Sequence, residues 1–220
     1  MTLVHRKKRP LVRDRDSFRD DRLFIVACDD SYAPEQYFGF FRISRVQVHV
    51  ITTTDGTSSA PHVLNRLLAI EHIEDDERWL VLDVDHCLQS THTPTFLEAI
   101  RRAKSLGVKV ALSKPCFELW LLLHHVEPAE VTALADAREV EGKLRQTLGA
   151  YNKTRIGKAD FPLSSVAKAY ARARVLDVAT DSEIPTANSS HVYKLWDAIV
   201  VGALQSQLPP ELALLRETNR

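Results

Sequence analysis

Segment 78–90, RWLVLDVDHCLQS, carries two aspartates, Asp83 and Asp85, at the end of an apolar run. Paired acids at that spacing have three uses. They can hold a hard divalent cation, they can supply a nucleophile and a neighbouring acid for phosphoryl transfer, or they can end a strand in solvent. On a strand, residues two apart point to the same face. Like charges so placed repel, and one takes up a proton unless a cation intervenes. Carboxylate oxygens suit Mg2+ or Mn2+. A second apolar run, RLFIVACDD, ends in Asp29 and Asp30, and a third, VKVALSKP, in Ser113 and Lys114. If these runs are parallel strands, their C-terminal ends share one edge, where open α/β sheets bind ligands. The acids, distant in sequence, are then expected to converge.

Glu118 lies in SKPCFELWLLLHH, beside Phe117, Leu119, Trp120, Leu121, Leu122 and Leu123. Such a helix leaves little surface for water, and glutamate is rarely buried without a partner. Pro115 is read as marking the first turn. Glu118 then either makes an internal ion pair or serves the acidic edge. Its candidate partners are Lys114, a histidine from elsewhere and a metal-bound water. His124 and His125 diverge by about 100° on a helix, so at most one is expected to be functional. Cys28, Cys87 and Cys116 each end or follow a strand at the same edge, and with His86 they offer a zinc site. No CxxC or HxxxH spacing supports it, and small buried thiols are the simpler reading.

The elements that must position these groups alternate. Strand-like RLFIVAC, VQVHVITT, RWLVLDV and VKVALS are separated by helix-like APEQYFGFFRI, APHVLNRLLAIEHI and TPTFLEAIRRAKSLG. That alternation implies a mostly parallel sheet with helices on both faces. After Glu127 the strand signal disappears. Three amphipathic segments remain, PAEVTALADAREVEGKLRQTLG, LSSVAKAYARARVL and NSSHVYKLWDAIVVGAL, the last starting from Ser189 or Ser190. The chain therefore divides into a mixed-charge arm (1–22), an α/β core (23–126) and a C-terminal helical region packed on it (127–220). The 220 residues carry no net formal charge, so any basic surface for a polyanion is local. An odd number of scattered cysteines disfavours a disulfide framework and points to a reducing cytoplasm. No signal peptide is visible and no apolar run approaches the roughly 20 residues of a membrane span.

Together, FIVACDDSYAPEQYF, VLDVDHC, LSKPCFELWLLLHH, LGAYNKTRI and NSSHVYKLWDAI resemble, in this order, the RloB family, whose core is similar to a Toprim domain. The resemblance covers roughly residues 22–205. It implies a Toprim-like α/β fold, a magnesium site and work on phosphodiester bonds. It further implies defence against phage and an ATPase partner encoded nearby. Carried over, the metal-binding acids fall on Asp29, Asp83 and Asp85. The chain departs from the family pattern at three places: Asp29 and Asp30 stand where Glu-Gly is expected, and Lys114 stands where asparagine is expected. Aspartate is one methylene shorter, and losing the glycine restricts the backbone beside the acid.

Three functions follow. The first is a Mg2+- or Mn2+-dependent nuclease, with Asp29, Asp83 and Asp85 as metal-binding catalytic residues and Glu118 or Asp30 as general base. Lys114, Lys153, Arg155 and Lys158 would hold nucleic acid, with Lys168, Arg172 and Arg174 on a nearby helix. The bland alternative for these bases is solvated surface charge. The second is a non-catalytic subunit that binds nucleic acid or an ATPase, its Toprim site degenerate. The third is a haloacid-dehalogenase-like phosphotransferase, with Asp83 as nucleophile, Asp85 as acid, and Ser113 and Lys114 in support.

Overall fold

The computed structural model describes residues 22–54, 56–85, 92–178 and 182–217. Residues 1–21 of the N-terminal arm, Cys87 and His86 lie outside them, whereas Arg22, assigned to the arm, opens the first strand. Four strands form at the four apolar runs: β1 (Arg22–Cys28), β2 (Val46–Ile51), β3 (Glu77–Asp83) and β4 (Lys109–Lys114). They are mutually parallel, in the order β2-β1-β3-β4. A fifth strand, β5 (Ser189–Ser190), adds antiparallel to β4.

Helices α1 (Ala33–Gly39), α2 (Ala60–Leu68) and α3 (Thr93–Ser105) make the crossovers. All three have proline in the first turn, where its fixed φ and missing N–H cost nothing. Gly107, just beyond α3, has φ 72°, the left-handed conformation that ends a helix at little cost only for glycine.

Alternation along the strands splits the core. Ile25, Ala27, Leu80 and Leu82 face one way and pack with Val63, Leu64 and Leu67 of α2 and with Phe96 and Ile100 of α3. Phe24, Val26, Trp79 and Val81 face the other way, onto α1 and the C-terminal helices. These are α4 (Glu118–Leu123), α5 (Ala137–Leu148), α6 (Leu163–Leu176), α7 (Val192–Gly202) and α8 (Pro210–Glu217). So α1 covers one face while α2 and α3 cover the other. The chain changes direction across the sheet between β1 and β3, and a crevice opens at the C-terminal ends of those two strands.

Two expectations change. Ser189 and Ser190 do not start a helix. They pair with Lys114 and Ser113 as β5, and α7 begins at Val192. Helix α8 was not anticipated, because its proline-rich entry and short length give little periodic signal.

Candidate functional site

Asp29 follows the last residue of β1, and Asp83 is the last residue of β3. Because β1 and β3 are adjacent and parallel, the two acids meet: Asp29 Oδ2 accepts a hydrogen bond of 2.9 Å from the Asp83 backbone N–H. They open into a pocket of about 360 Å3 whose lining includes Asp30, Tyr32, Thr53 and Lys153. Burial pushes the Asp29 carboxyl up to about 7, with the Asp83 N–H bond opposing and the charges of Asp30 and Asp85 adding to it. Burial likewise raises Asp83 well above the carboxylate range, reinforced by the charges of Asp29, Glu118 and Asp85. Asp83 Oδ1 is buried without a hydrogen-bond partner.

Asp85 is not on the strand. β3 ends at Asp83, and the Asp85 backbone N–H donates to Pro115 O. The same-face argument for the pair therefore fails, although Asp85 remains close enough for its charge to raise both Asp29 and Asp83. Asp30 takes the opposite role to a free acid. Its Oδ1 accepts from the backbone N–H groups of Tyr32 and Ala33, which open α1, and its Oδ2 lies 2.7 Å from Lys153 Nζ.

Glu118 is fully buried. Its partner is none of those expected. Oε1 accepts from Tyr151 OH at 3.1 Å and lies 3.0 Å from Lys153 Nζ, while Oε2 is buried without a partner. Glu118 opens α4, and Pro115 lies three residues ahead of it. Leu119, Trp120, Leu121, Leu122 and Leu123 are all fully buried. At roughly 1.5–3 kcal/mol for each such side chain, α4 has ample drive to carry one paired carboxylate inside.

Lys153 thus spends its charge on protein carboxylates. Burial disfavours its ammonium, but Glu118 and Asp30 outweigh that and hold the charged form more firmly than usual. Its loop is fastened to α1: Gln36 Nε2 donates to Lys153 O, and Gln36 Oε1 accepts from Ile156 N–H. Arg155 and Lys158 are exposed on the same loop. Lys114 donates instead to Thr186 O, and Ser113 pairs with the Ser190 hydroxyl. The serine and lysine that the phosphotransferase reading assigns to Asp83 are thus both engaged by other groups, although Ser113 lies beside Asp83 on the adjacent strand. On α6, Lys168 is exposed. Arg172 donates to Leu123 O and pairs with Glu127, and Arg174 lies over the Tyr170 ring.

His124 is structural. Ser165 OH donates to Pro162 O, so it accepts from His124 Nδ1–H, and Nε2 accepts from Tyr37 OH. Burial lowers its pKa to about 3. Cys28 and Cys116 are buried free thiols, pushed up first by burial and then by neighbouring carboxylates. The zinc alternative needs Cys87 and His86, which lie outside the described residues.

A family model described as RloB-like protein matches residues 24–199. The chain belongs to this family. The matched span contains every acid of the site together with Lys153, so the RloB-like assignment and the acidic crevice concern the same part of the molecule. Comparison with curated proteins finds no match, and neither does comparison with solved structures.

Tyr151 and Gln36 were not legible as site residues. Tyr151 stands 33 residues from the glutamate it contacts, and Gln36 reaches a loop 117 residues away. Neither has a local signature.

Could these residues hold a divalent ion? Among the described residues, no three His, Cys, Asp or Glu side chains form a ready-made cage. The donor chemistry nevertheless fits magnesium, which is commonly held by one or two carboxylates while water and substrate phosphate fill the other positions. Asp29 and Asp83 would be those two, and Asp83 Oδ1, which has no hydrogen-bond partner, is available as a ligand.

Proposed function

We propose that this RloB-like protein is a Mg2+- or Mn2+-dependent phosphodiesterase acting on nucleic acid. One observation carries the reading: a half-buried and a buried carboxylate, Asp29 and Asp83, meet at the ends of adjacent parallel strands at the reversal point of the sheet, and one oxygen of Asp83 has no hydrogen-bond partner. Asp29 and Asp83 hold the ion, with Asp85 contributing charge. When bound, the ion supplies Lewis-acid stabilisation of phosphoryl oxygens and an activated water. The chain's own part is to keep the two acids in register through the Asp29–Asp83 backbone bond. It also raises their proton affinity so that metal competes with protons. Arg155 and Lys158 on the rim loop hold the phosphate backbone, as Lys and Arg generally do. The family resemblance extends the proposal to a cytoplasmic role in phage defence beside an ATPase partner. Among the described residues no helix is long and apolar enough to cross a membrane.

The decisive test incubates the protein with single- and double-stranded DNA and RNA, in Mn2+, Mg2+ or EDTA. Metal-dependent cleavage that Asp83→Asn abolishes supports the reading. A well-folded protein that binds nucleic acid but cleaves none of the substrates favours the second reading, a non-catalytic subunit. That second reading has its own support: Asp30 and Glu118, the two candidate general bases, are both engaged by Lys153.

A further inference from the structure

Asp30 and Glu118 reach the same point from different elements. Lys153 Nζ sits there, 2.7 Å from Asp30 Oδ2 and 3.0 Å from Glu118 Oε1. Asp30 Oδ1 is already used by two backbone N–H groups, so Oδ2 is the oxygen turned to the ammonium. The second oxygen of Glu118 is buried and unpartnered in a residue with no exposed surface. Each acid therefore has an anchor besides the lysine, Asp30 in the two backbone N–H groups and Glu118 in the Tyr151 hydroxyl. Gln36 pins the lysine's loop from behind through the backbone of residues 153 and 156. About a third of the Lys153 side chain remains exposed, so the position opens to solvent along the lysine stem.

We infer that the ammonium of Lys153 fills one of two cation positions in the acidic crevice. The chain then takes divalent metal at Asp29 and Asp83 only, and removing the lysine uncovers a second divalent position on Asp30 and Glu118. The first half rests on the metal-dependent reading proposed above; the second does not. The physical basis is substitution of like for like. An ammonium and a divalent ion both answer two converging carboxylates. The metal demands shorter contacts, about 2.0–2.6 Å to oxygen, and water can supply the remaining ligands in the space that the lysine stem leaves.

The experiment titrates MnCl2 into the full chain and into Lys153→Ala by calorimetry, with melting curves in EDTA and in Mn2+. Lys153→Ala is expected to take up one more equivalent than the parent chain, and to melt lower in EDTA but recover in Mn2+. The double variant Lys153→Ala/Glu118→Gln is expected to lose that extra equivalent. Equal uptake by parent and Lys153→Ala overturns the proposal, as does an extra equivalent that survives Glu118→Gln. A Lys153→Ala chain that fails to fold even with Mn2+ also overturns it, because a metal then cannot replace the ammonium. If the parent takes up none and Lys153→Ala one, the lysine assignment stands and the metal reading of Asp29 and Asp83 falls. One equivalent in both gives the reverse.

Discussion

At the residue scale, the acidic crevice sets burial against charge. Asp83 is 8% exposed and has one oxygen without a partner. Replacing it with asparagine removes the charge that burial penalises while keeping the shape. The metal-free Asp83→Asn protein should therefore melt at the same temperature as the parent or higher. Its Mn2+ affinity should fall at least as far as the 10–100-fold typical of losing an outer-shell partner, since a direct ligand is lost. Calorimetry and a melting curve on one preparation check both halves, and unchanged affinity would remove Asp83 from the metal site. Tyr151 makes the opposite case. Its hydroxyl gives the buried Glu118 carboxylate a hydrogen bond, and such bonds to charged groups are worth about 1.5–3 kcal/mol. Tyr151→Phe should lose that much stability in urea unfolding with little change in m-value; a loss below about 0.5 kcal/mol would mean water takes over the bond.

At the element scale, three helices are joined through one imidazole. Tyr37 on α1, His124 at the end of α4 and Ser165 on α6 form a hydrogen-bonded chain in which the imidazole must be neutral. Its folded pKa of about 3 lies below the unfolded 6.5. The folded state thus binds that proton less readily. The stabilising effect is complete above pH 6.5 and is lost as pH falls towards 3, on the order of 5 kcal/mol if the whole shift is realised. Asp29 works in the other direction. Its pKa is raised in the fold, so its protonation below about 7 favours the folded state. The two effects separate by difference: His124→Gln should flatten the acid limb of a pH–stability curve relative to the parent. Parallel curves would show that His124 does not carry the acid sensitivity. The same scale shows what was legible. Parallel strand ends bring Asp29 and Asp83 together because strand direction and adjacency follow from βαβ alternation. The face of Asp85 did not follow, because the strand stops at Asp83, one residue before the end of the apolar run RWLVLDV. β5 did not follow either: two serines have no strand pattern of their own and pair only because β4 offers a free edge. Lys153 read as one of several surface bases because its carboxylate partners are supplied by tertiary contact.

At the scale of the whole molecule, the C-terminal helices do more than sit beside the sheet. Phe24, Val26, Trp79 and Val81 on one sheet face share a single buried cluster with Val140 and Leu144 of α5, Val166 and Tyr170 of α6, Trp196 and Ile199 of α7 and Leu212 of α8. Lys153, which answers two of the buried acids, comes from the loop between α5 and α6, and β5 closes the β4 edge with His191 N–H donating to Leu112 O. A fragment ending at Glu127 would leave only α1 and α4 on that apolar face, leave an edge strand open, and strand Glu118 in the interior without its cation or its tyrosine. Uncovering large apolar side chains costs about 1.5–3 kcal/mol each, against a total stability of only about 5–15 kcal/mol for an ordinary domain. Residues 22–127 alone should therefore fail to form a native core, with a collapsed proton spectrum, no cooperative melting transition and aggregation through the exposed sheet. A well-dispersed spectrum from that fragment would show instead that the α/β unit is self-sufficient. In that case the C-terminal helices would be needed only to bring Lys153 and Tyr151 to the crevice, and adding the helical segment in trans should remove the extra Mn2+ equivalent that the lysine-free fragment takes up and raise the fragment's melting temperature.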